Sequence, residues 1–171
     1  MHGLGNDFVV LDGREKPVNL GAAQVRALAD RRSGVGFDQM VTLEASDNAD
    51  AFMRIHNADG GEVDACGNAA RCVAALLMAE NNTDTATIDS GGGLLAARDA
   101  GAGRISVDMG PARTDWQDIP LAREMDTLHL DLTANGLADP AGVGMGNPHA
   151  VFFVDDAAAV DLAAVGPTLE H

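Results

Sequence analysis

The stretch from Asn57 to Asn68, N-A-D-G-G-E-V-D-A-C-G-N, and the apolar run that it opens constrain this chain more than any other. Asp59-Gly60-Gly61 predicts a turn, because two glycines allow positive φ and the Asp side chain can bond the backbone ahead. From Ala69 to Met78 the residues A-A-R-C-V-A-A-L-L-M are rich in helix formers and free of Gly and Pro. That helix is apolar almost all round, with Arg71 the main exception, so it belongs inside a core. A start near Gly67 leaves unpaired N–H groups and the positive end of the helix dipole beside Cys66, a setting that favours a thiolate. Two readings of Cys66 follow: an acid or base at the mouth of a buried helix, or a small hydrophobic residue packed in a core.

The surrounding segments read mainly as short strands. Phe8 to Leu11, Met40 to Glu44, Ala51 to His56, Thr85 to Asp89, Leu94 to Arg98 and Arg104 to Met109 are expected strands, the last two joined by a hairpin loop at Asp99 to Gly103. Met1 to Asp7 reads as a glycine-punctuated loop, and Ala22 to Arg32 fits a surface helix with Val25, Leu28 and Ala29 on one face. Gly110-Pro111 is the best internal boundary. Beyond it come a looser segment with Trp116 and Pro120, a strand over Leu128, Leu130 and Leu132, and a loop from Ala134 to Gly142. A strand from Ala150 to Val154 and a last helix from Asp155-Asp156 to about Val165 complete the reading, with no closing element at Pro167 to His171. Alternating β-α units for a parallel sheet are not apparent. The expected fold class is α+β: a curled or barrel-like mixed β-sheet wrapped around a buried central helix.

Composition narrows the function classes. Hydrophobic residues make up 46% of the 171 and charged residues 22%, a globular balance, while 4% aromatics leave the core to Ala, Val and Leu. The net charge of −15 argues against a nucleic-acid or membrane-surface partner, and any anionic substrate must be held by local donors. No apolar run reaches bilayer length, and the N-terminus lacks a signal pattern. Cys66 and Cys72 would lie roughly 9 Å apart by helical rise, too far to bridge, so a reducing cytoplasm is the expected location.

Elimination narrows the chemistry, although a Cys–His hydrolase stays open, since His149 could lie near Cys66 in space without any Gly-x-Cys-x elbow-like signal to support it. The two Gly-x-Gly stretches lack their third glycine, since Phe8 and Gln39 stand there, and neither is followed by Lys-Ser or Lys-Thr. His56, Cys66 and Cys72 lack a tetrahedral ligand spacing, so no metal is expected. Lys16, the only lysine, precedes a proline in a polar loop and does not suit a Schiff base. What remains is a set of neutral amides beside Gly, Asp or Pro: Asn6, Gln39, Asn57, Asn68 and Asn147. Such groups suit a zwitterion, although each taken singly also fits an ordinary turn residue.

Five motifs in order, Gly3-Leu4-Gly5-Asn6-Asp7-Phe8, Gly36-Phe37-Asp38-Gln39, Asn57-Ala58-Asp59-Gly60, Cys66-Gly67-Asn68 with Ala70-Arg71-Cys72, and Gly146-Asn147-Pro148-His149, resemble diaminopimelate epimerase from end to end of the chain. Ala69 departs from the pattern, where the family usually has Gly. The resemblance implies a diaminopimelate-epimerase-like fold and an enzyme without a cofactor that interconverts LL- and meso-diaminopimelate by thiol/thiolate proton exchange. It implies Cys66 as one of two catalytic cysteines and His149 as a histidine that tunes them. Asn6, Gln39, Asn57, Gly67, Asn68 and Asn147 would hold substrate, whereas Cys72 matches a position that is not catalytic.

The resemblance also implies a first domain over residues 1–110 and, over 111–171, the beginning of a second, pseudo-symmetric domain that is incomplete. A second cysteine in a Cys-Gly-Ser-Gly-like motif and a Glu-Arg pair belong to the family and are absent here, and residues before Met1 look trimmed. The chain by itself is therefore expected to be inactive. The expected partner is a small-molecule substrate, diaminopimelate, with a homodimer allowed. Rival readings are a related racemase or isomerase of the same fold and a non-catalytic amino-acid-binding module.

Overall fold

A computed structural model describes residues 1–119 and 121–170, the side chain of Glu170 aside, and divides into two compact units, Met1–Gly110 and Pro111–His171. Pro120, expected in the looser segment, and His171, expected in an unstructured end, lie outside the described residues. In the first unit the elements run β1 (His2–Gly3), β2 (Asn6–Asp12), α1 (Ala22–Ala29), β3 (Gln39–Glu44), β4 (Ala51–Asn57), β5 (Glu62–Val63), α2 (Gly67–Asn81), β6 (Thr85–Ser90), β7 (Leu95–Asp99) and β8 (Ile105–Asp108). The strands form one mixed sheet in the order β1-β2-β3-β4-β6-β7-β8, with β5 paired to β4.

Period-two alternation decides what each face of the sheet meets. Phe8 on β2, Val41 and Leu43 on β3, and Met53 and Ile55 on β4 pack with Ala69, Ala70, Val73, Ala74 and Leu77 of α2. The small alanines, fully buried, let strands approach the helix closely, which suits a core nearly free of aromatics. α2 touches β1 at one edge of the sheet and β8 at the other, so the sheet curls around it. Burial is not complete: Leu76, Ala79 and Glu80 form an exposed rim, where the composition suggested a helix buried all round. The opposite face of β2 and β3 receives α1, through Val25 and Ala29 against Phe37, Met40, Val9 and Leu11.

The mixed sheet departs from the expected pattern in its connections. β2 and β3 are parallel, as are β4 and β6, so α1 and α2 each sit in a β-α-β crossover that the sequence pattern had not suggested. The short β5, inserted before α2, and the loop over residues 13–21 mask the alternation. The opening also differs: β1 and β2 form a tight hairpin in place of a loop, with Leu4 and Gly5 both at positive φ (52° and 95°), as a two-residue turn of that hand requires. α1 stops at Ala29, three residues before the expected end. Asp30 leaves the helical region, and its Oδ1 accepts bonds from the N–H groups of Arg32 and Ser33.

The second unit holds β9 (Thr133–Ala134), β10 (Leu137–Ala138), β11 (Ala141–Gly144), β12 (Pro148–Val151), a 3-10 turn at Ala157–Ala159 and α3 (Leu162–Glu170). Several expectations fail here: the strand expected over Ala150 to Val154 stops at Val151, and Pro167 to Glu170, expected to carry no closing element, lies in α3. Leu128 to Leu132 is not a strand, because only Leu130 is buried while Leu128 faces solvent. The expected loop from Ala134 to Gly142 contains a hairpin whose turn is Asn135-Gly136, both at positive φ. The last helix begins at Leu162, because Asp156 caps the 3-10 turn and Asp161 accepts the first bonds of α3, which then runs through Pro167.

Leu77 and Leu76 are neighbours with opposite fates, 1% and 37% exposed. Leu77→Ala is expected to cost about 2–5 kcal/mol, and Leu76→Ala under about 1 kcal/mol. Urea midpoints of the two variants, taken at constant slope, check the difference.

Candidate active site

Three neighbouring strand ends on the α2 side of the sheet carry amides. Gln39 opens β3 opposite Asn57, which closes β4, and Asn6 opens β2. By alternation these side chains share the face of Phe8, Val41 and Ile55, the face that meets α2. All three are half-buried. Gln39 Nε2 donates to Asn57 Oδ1 at 2.9 Å, while Gln39 Oε1 is buried without a partner among the described residues. A buried carbonyl oxygen left open is costly unless a ligand or water supplies a donor.

The first turn of α2 completes the cluster. Cys66 is the N-cap, with extended backbone (φ −152°), and its Sγ accepts from the Ala69 N–H at 3.5 Å. Among the described residues the N–H groups of Gly67 and Asn68 have no partner. Asn68 Nδ2 donates to Asn6 Oδ1 at 2.7 Å, so the opening hairpin is tied to the helix start. The approach is tight: a side chain at Gly3 would come within 3.1 Å of the Asn68 carbonyl oxygen, which explains a glycine there. Cys72 lies inside α2, 7% exposed, and burial pushes its thiol pKa up despite the nearby N-terminal ammonium and Arg71 guanidinium.

Turns hold the strand ends in register. The β4–β5 turn behaves as the glycines require: Gly60 has φ +85°, Gly61 N–H bonds Asp59 Oδ1 at 2.7 Å, and a Cβ on Gly60 would strike the Ala22 carbonyl oxygen at 2.6 Å. Between β2 and β3, Arg31 bridges Asp7 and Asp38, each at 2.9 Å, and Asp38 Oδ2 accepts the Asp7 N–H at 2.8 Å. Each aspartate sits next to a site amide, Asn6 or Gln39. Asp7 and Asp38 fall within the motifs and Arg31 outside them, and none of the three is among the expected site residues.

The structure thus brings Asn6, Gln39, Asn57, Cys66, Gly67 and Asn68 into one cluster in the first unit. Asn147 and His149 belong to the second unit, at the β11–β12 hairpin, and both are exposed. His149 Nδ1 lies 3.0 Å from the Asn147 carbonyl oxygen, so Nδ1 carries the proton in this contact and a neutral ring keeps Nε2 as an acceptor. No helix among the described residues is long and apolar enough to cross a membrane.

Two outcomes follow from this geometry. Brief iodoacetamide treatment near neutral pH should modify the half-buried Cys66 about tenfold or more faster than Cys72, read by peptide mapping. Equal labelling would refute the contrast. Acid stability supplies the second. The Asp7 N–H and then the Arg31 guanidinium hold the Asp38 carboxyl below its ordinary value. A depressed folded pKa stabilises above the unfolded value near 3.9 and is lost as pH falls through the folded value. Asp38→Asn should therefore flatten the acid limb of a urea-midpoint profile below about pH 4.

Comparison with known proteins bears on this cluster. The family model described as diaminopimelate epimerase matches residues 1–114. Diaminopimelate epimerase of Rhodospirillum centenum is 57% identical across 100% of this chain and 60% of its own, and that of Acidiphilium cryptum 52% across 100% and 62%. The chain spans about 60% of the length of these curated relatives. Among solved structures, a hydroxyproline epimerase from Agrobacterium vitis shares the fold at 15% identity and a TM-score of 0.59, over 96% of this chain and 51% of its own. A predicted epimerase from Pseudomonas aeruginosa does so at 21% and 0.57, over 94% and 57%. With its first 114 residues matched by the family's model and relatives above half identity along its whole length, the chain belongs to the diaminopimelate epimerase family.

Proposed function

We propose that the polypeptide carrying this chain inverts one α-carbon of diaminopimelate, interconverting the LL and meso forms, as a step in making lysine and peptidoglycan precursors. The observation that carries this reading is the Cys66 thiol capping α2 beside free N–H groups, with one side-chain amide on α2 and three on the neighbouring strands. Cys66 acts as acid or base at the α-carbon. An amino-acid α-proton is a very weak acid, so the site must stabilise charge moving onto the carboxylate. The Gly67 and Asn68 N–H groups, at the positive end of α2, supply that stabilisation. Asn6 and Asn57 offer N–H donors to substrate carboxylates, and the open Gln39 oxygen accepts from an ammonium.

Asn147 is a further substrate ligand and His149 tunes the thiol chemistry. Residues 111–171 belong to a second, pseudo-symmetric domain. Proton removal and return on opposite faces needs a second group, which Cys72, buried inside α2, does not supply. The reading requires no cofactor, nucleic acid or membrane, and a cytoplasmic setting keeps both thiols reduced.

Turnover of LL-diaminopimelate and exchange of its α-hydrogen with deuterated solvent test the proposal in the polypeptide at its relatives' length. Cys66→Ala is expected to lower both by about 100-fold or more, within the range for losing an acid–base group, while Cys72→Ala stays within about threefold. Full activity in Cys66→Ala would sink the assignment. Binding of diaminopimelate without any exchange in the unaltered protein would favour a binding module instead.

A further inference from the structure

We infer that Arg71 is a positioning residue, whose guanidinium decides which way round the carboxamides of Asn68 and Asn6 face. The inference rests on the proposed function for the use made of those amides, but not for their orientation.

Arg71 curls back over the first turn of α2. Its Nη2 donates to Asn68 Oδ1, and its Nη1 lies 3.8 Å from where a Cβ on Gly67 would stand. A guanidinium only donates. Turned over, the Asn68 carboxamide would set N–H against N–H, so Oδ1 must face Arg71 and Nδ2 must face away. Nδ2 then donates to Asn6 at 2.7 Å, which obliges Asn6 to offer Oδ1 and leaves Asn6 Nδ2 as its free donor. One fixed charge therefore propagates a single polarity through two neutral amides, from the helix to the opening hairpin.

The electrostatic setting supports this role. Arg14, Arg31 and Arg54 are each tied to two carboxylates. Among the described residues no carboxylate lies within ion-pair distance of Arg71, although the chain carries 26 acidic residues. The cation also sits at the positive end of α2, where a positive charge is disfavoured. Its retained contact there is the Asn68 oxygen. Arg26, Arg32, Arg98, Arg104, Arg113 and Arg123 likewise have no ion pair among the described residues; what sets Arg71 apart is that its guanidinium meets the oxygen of a site amide.

The test needs no turnover. In the 15N-labelled chain, hydrogen exchange of the Asn68 carboxamide is followed in wild type, R71M and R71K. R71M is expected to exchange about tenfold faster with unchanged α2 backbone amides, and R71K to stay within about threefold of wild type, since hydrogen bonds to charged groups are the stronger class. Should R71M fail to fold, R71L, which also lacks a donor, is read in its place with the same acceleration expected. Unchanged carboxamide exchange in the neutral variant, or R71K as labile as that variant, would overturn the inference. Diaminopimelate titrated into the wild type reports separately. No binding there would count against the substrate reading and leave the exchange result standing.

Discussion

A helix cannot be wholly buried without leaving its first N–H groups stranded, and the first unit is built around that constraint. α2 supplies much of the apolar core, yet its opening turn carries two N–H groups that no carbonyl of the helix can reach. The sheet covers the body of the helix and keeps small or polar side chains at its mouth. Asn6, Gln39 and Asn57 occupy the strand ends where Phe8, Val41 and Ile55 would otherwise continue the apolar face. The polar cluster is thus a consequence of where the helix begins, and Cys66, as N-cap, is the residue placed to exploit it.

Neutral amides suit this position better than lysines or arginines would. A fixed cation within the cluster would hold a carboxylate firmly before and after reaction, and binding both states equally does not speed a reaction. Amides and backbone N–H groups keep their geometry and carry no net charge, so in the proposed reaction their advantage would grow as charge moves onto the substrate. Charge is used around the cluster instead. Arg31 joins the strands that bear Asn6 and Gln39 through Asp7 and Asp38, and Arg71 sits behind Asn68. In a chain of net charge −15, arginine is the scarce partner, and its planar fork lets one residue tie two elements.

Legibility in the sequence followed the strength of local periodicity. α2 and the six strands of the first unit's expected reading emerged close to their observed bounds, because apolar alternation and a Gly-free run leave few alternatives. The parallel crossovers did not, since nothing local distinguishes a β-α-β unit once an extra strand such as β5 intervenes. The second unit was read worst. Leu128, Leu130 and Leu132 alternate as a strand should, but tertiary packing buries only one of them, while the Asn135-Gly136 dipeptide, a strong hairpin marker, turns the chain inside the expected loop. Among site residues, the amides were found by type and their motifs by resemblance. The pairing of Asn6 with Asn68, residues 62 positions apart, had no trace in spacing.

That long-range bond also bears on how the site is held. The opening hairpin is short, and two residues of strand cannot fix a side chain by sheet pairing alone. Gly3 lets it lie against α2, and Asn6 then closes the distance with a directed bond. If that bond were absent, the Asn6 side chain would lose its directed partner, and Asn68 Nδ2 would remain unpaired at the helix mouth. Loss of either side chain removes a proposed polar contact for substrate, but only loss of Asn68 also releases its partner, because Arg71 still holds the Asn68 oxygen when Asn6 is gone. Effects of changing Asn6 and Asn68 should for this reason be non-additive, with the double variant little worse than the Asn68 variant alone, as expected for groups that share one hydrogen bond.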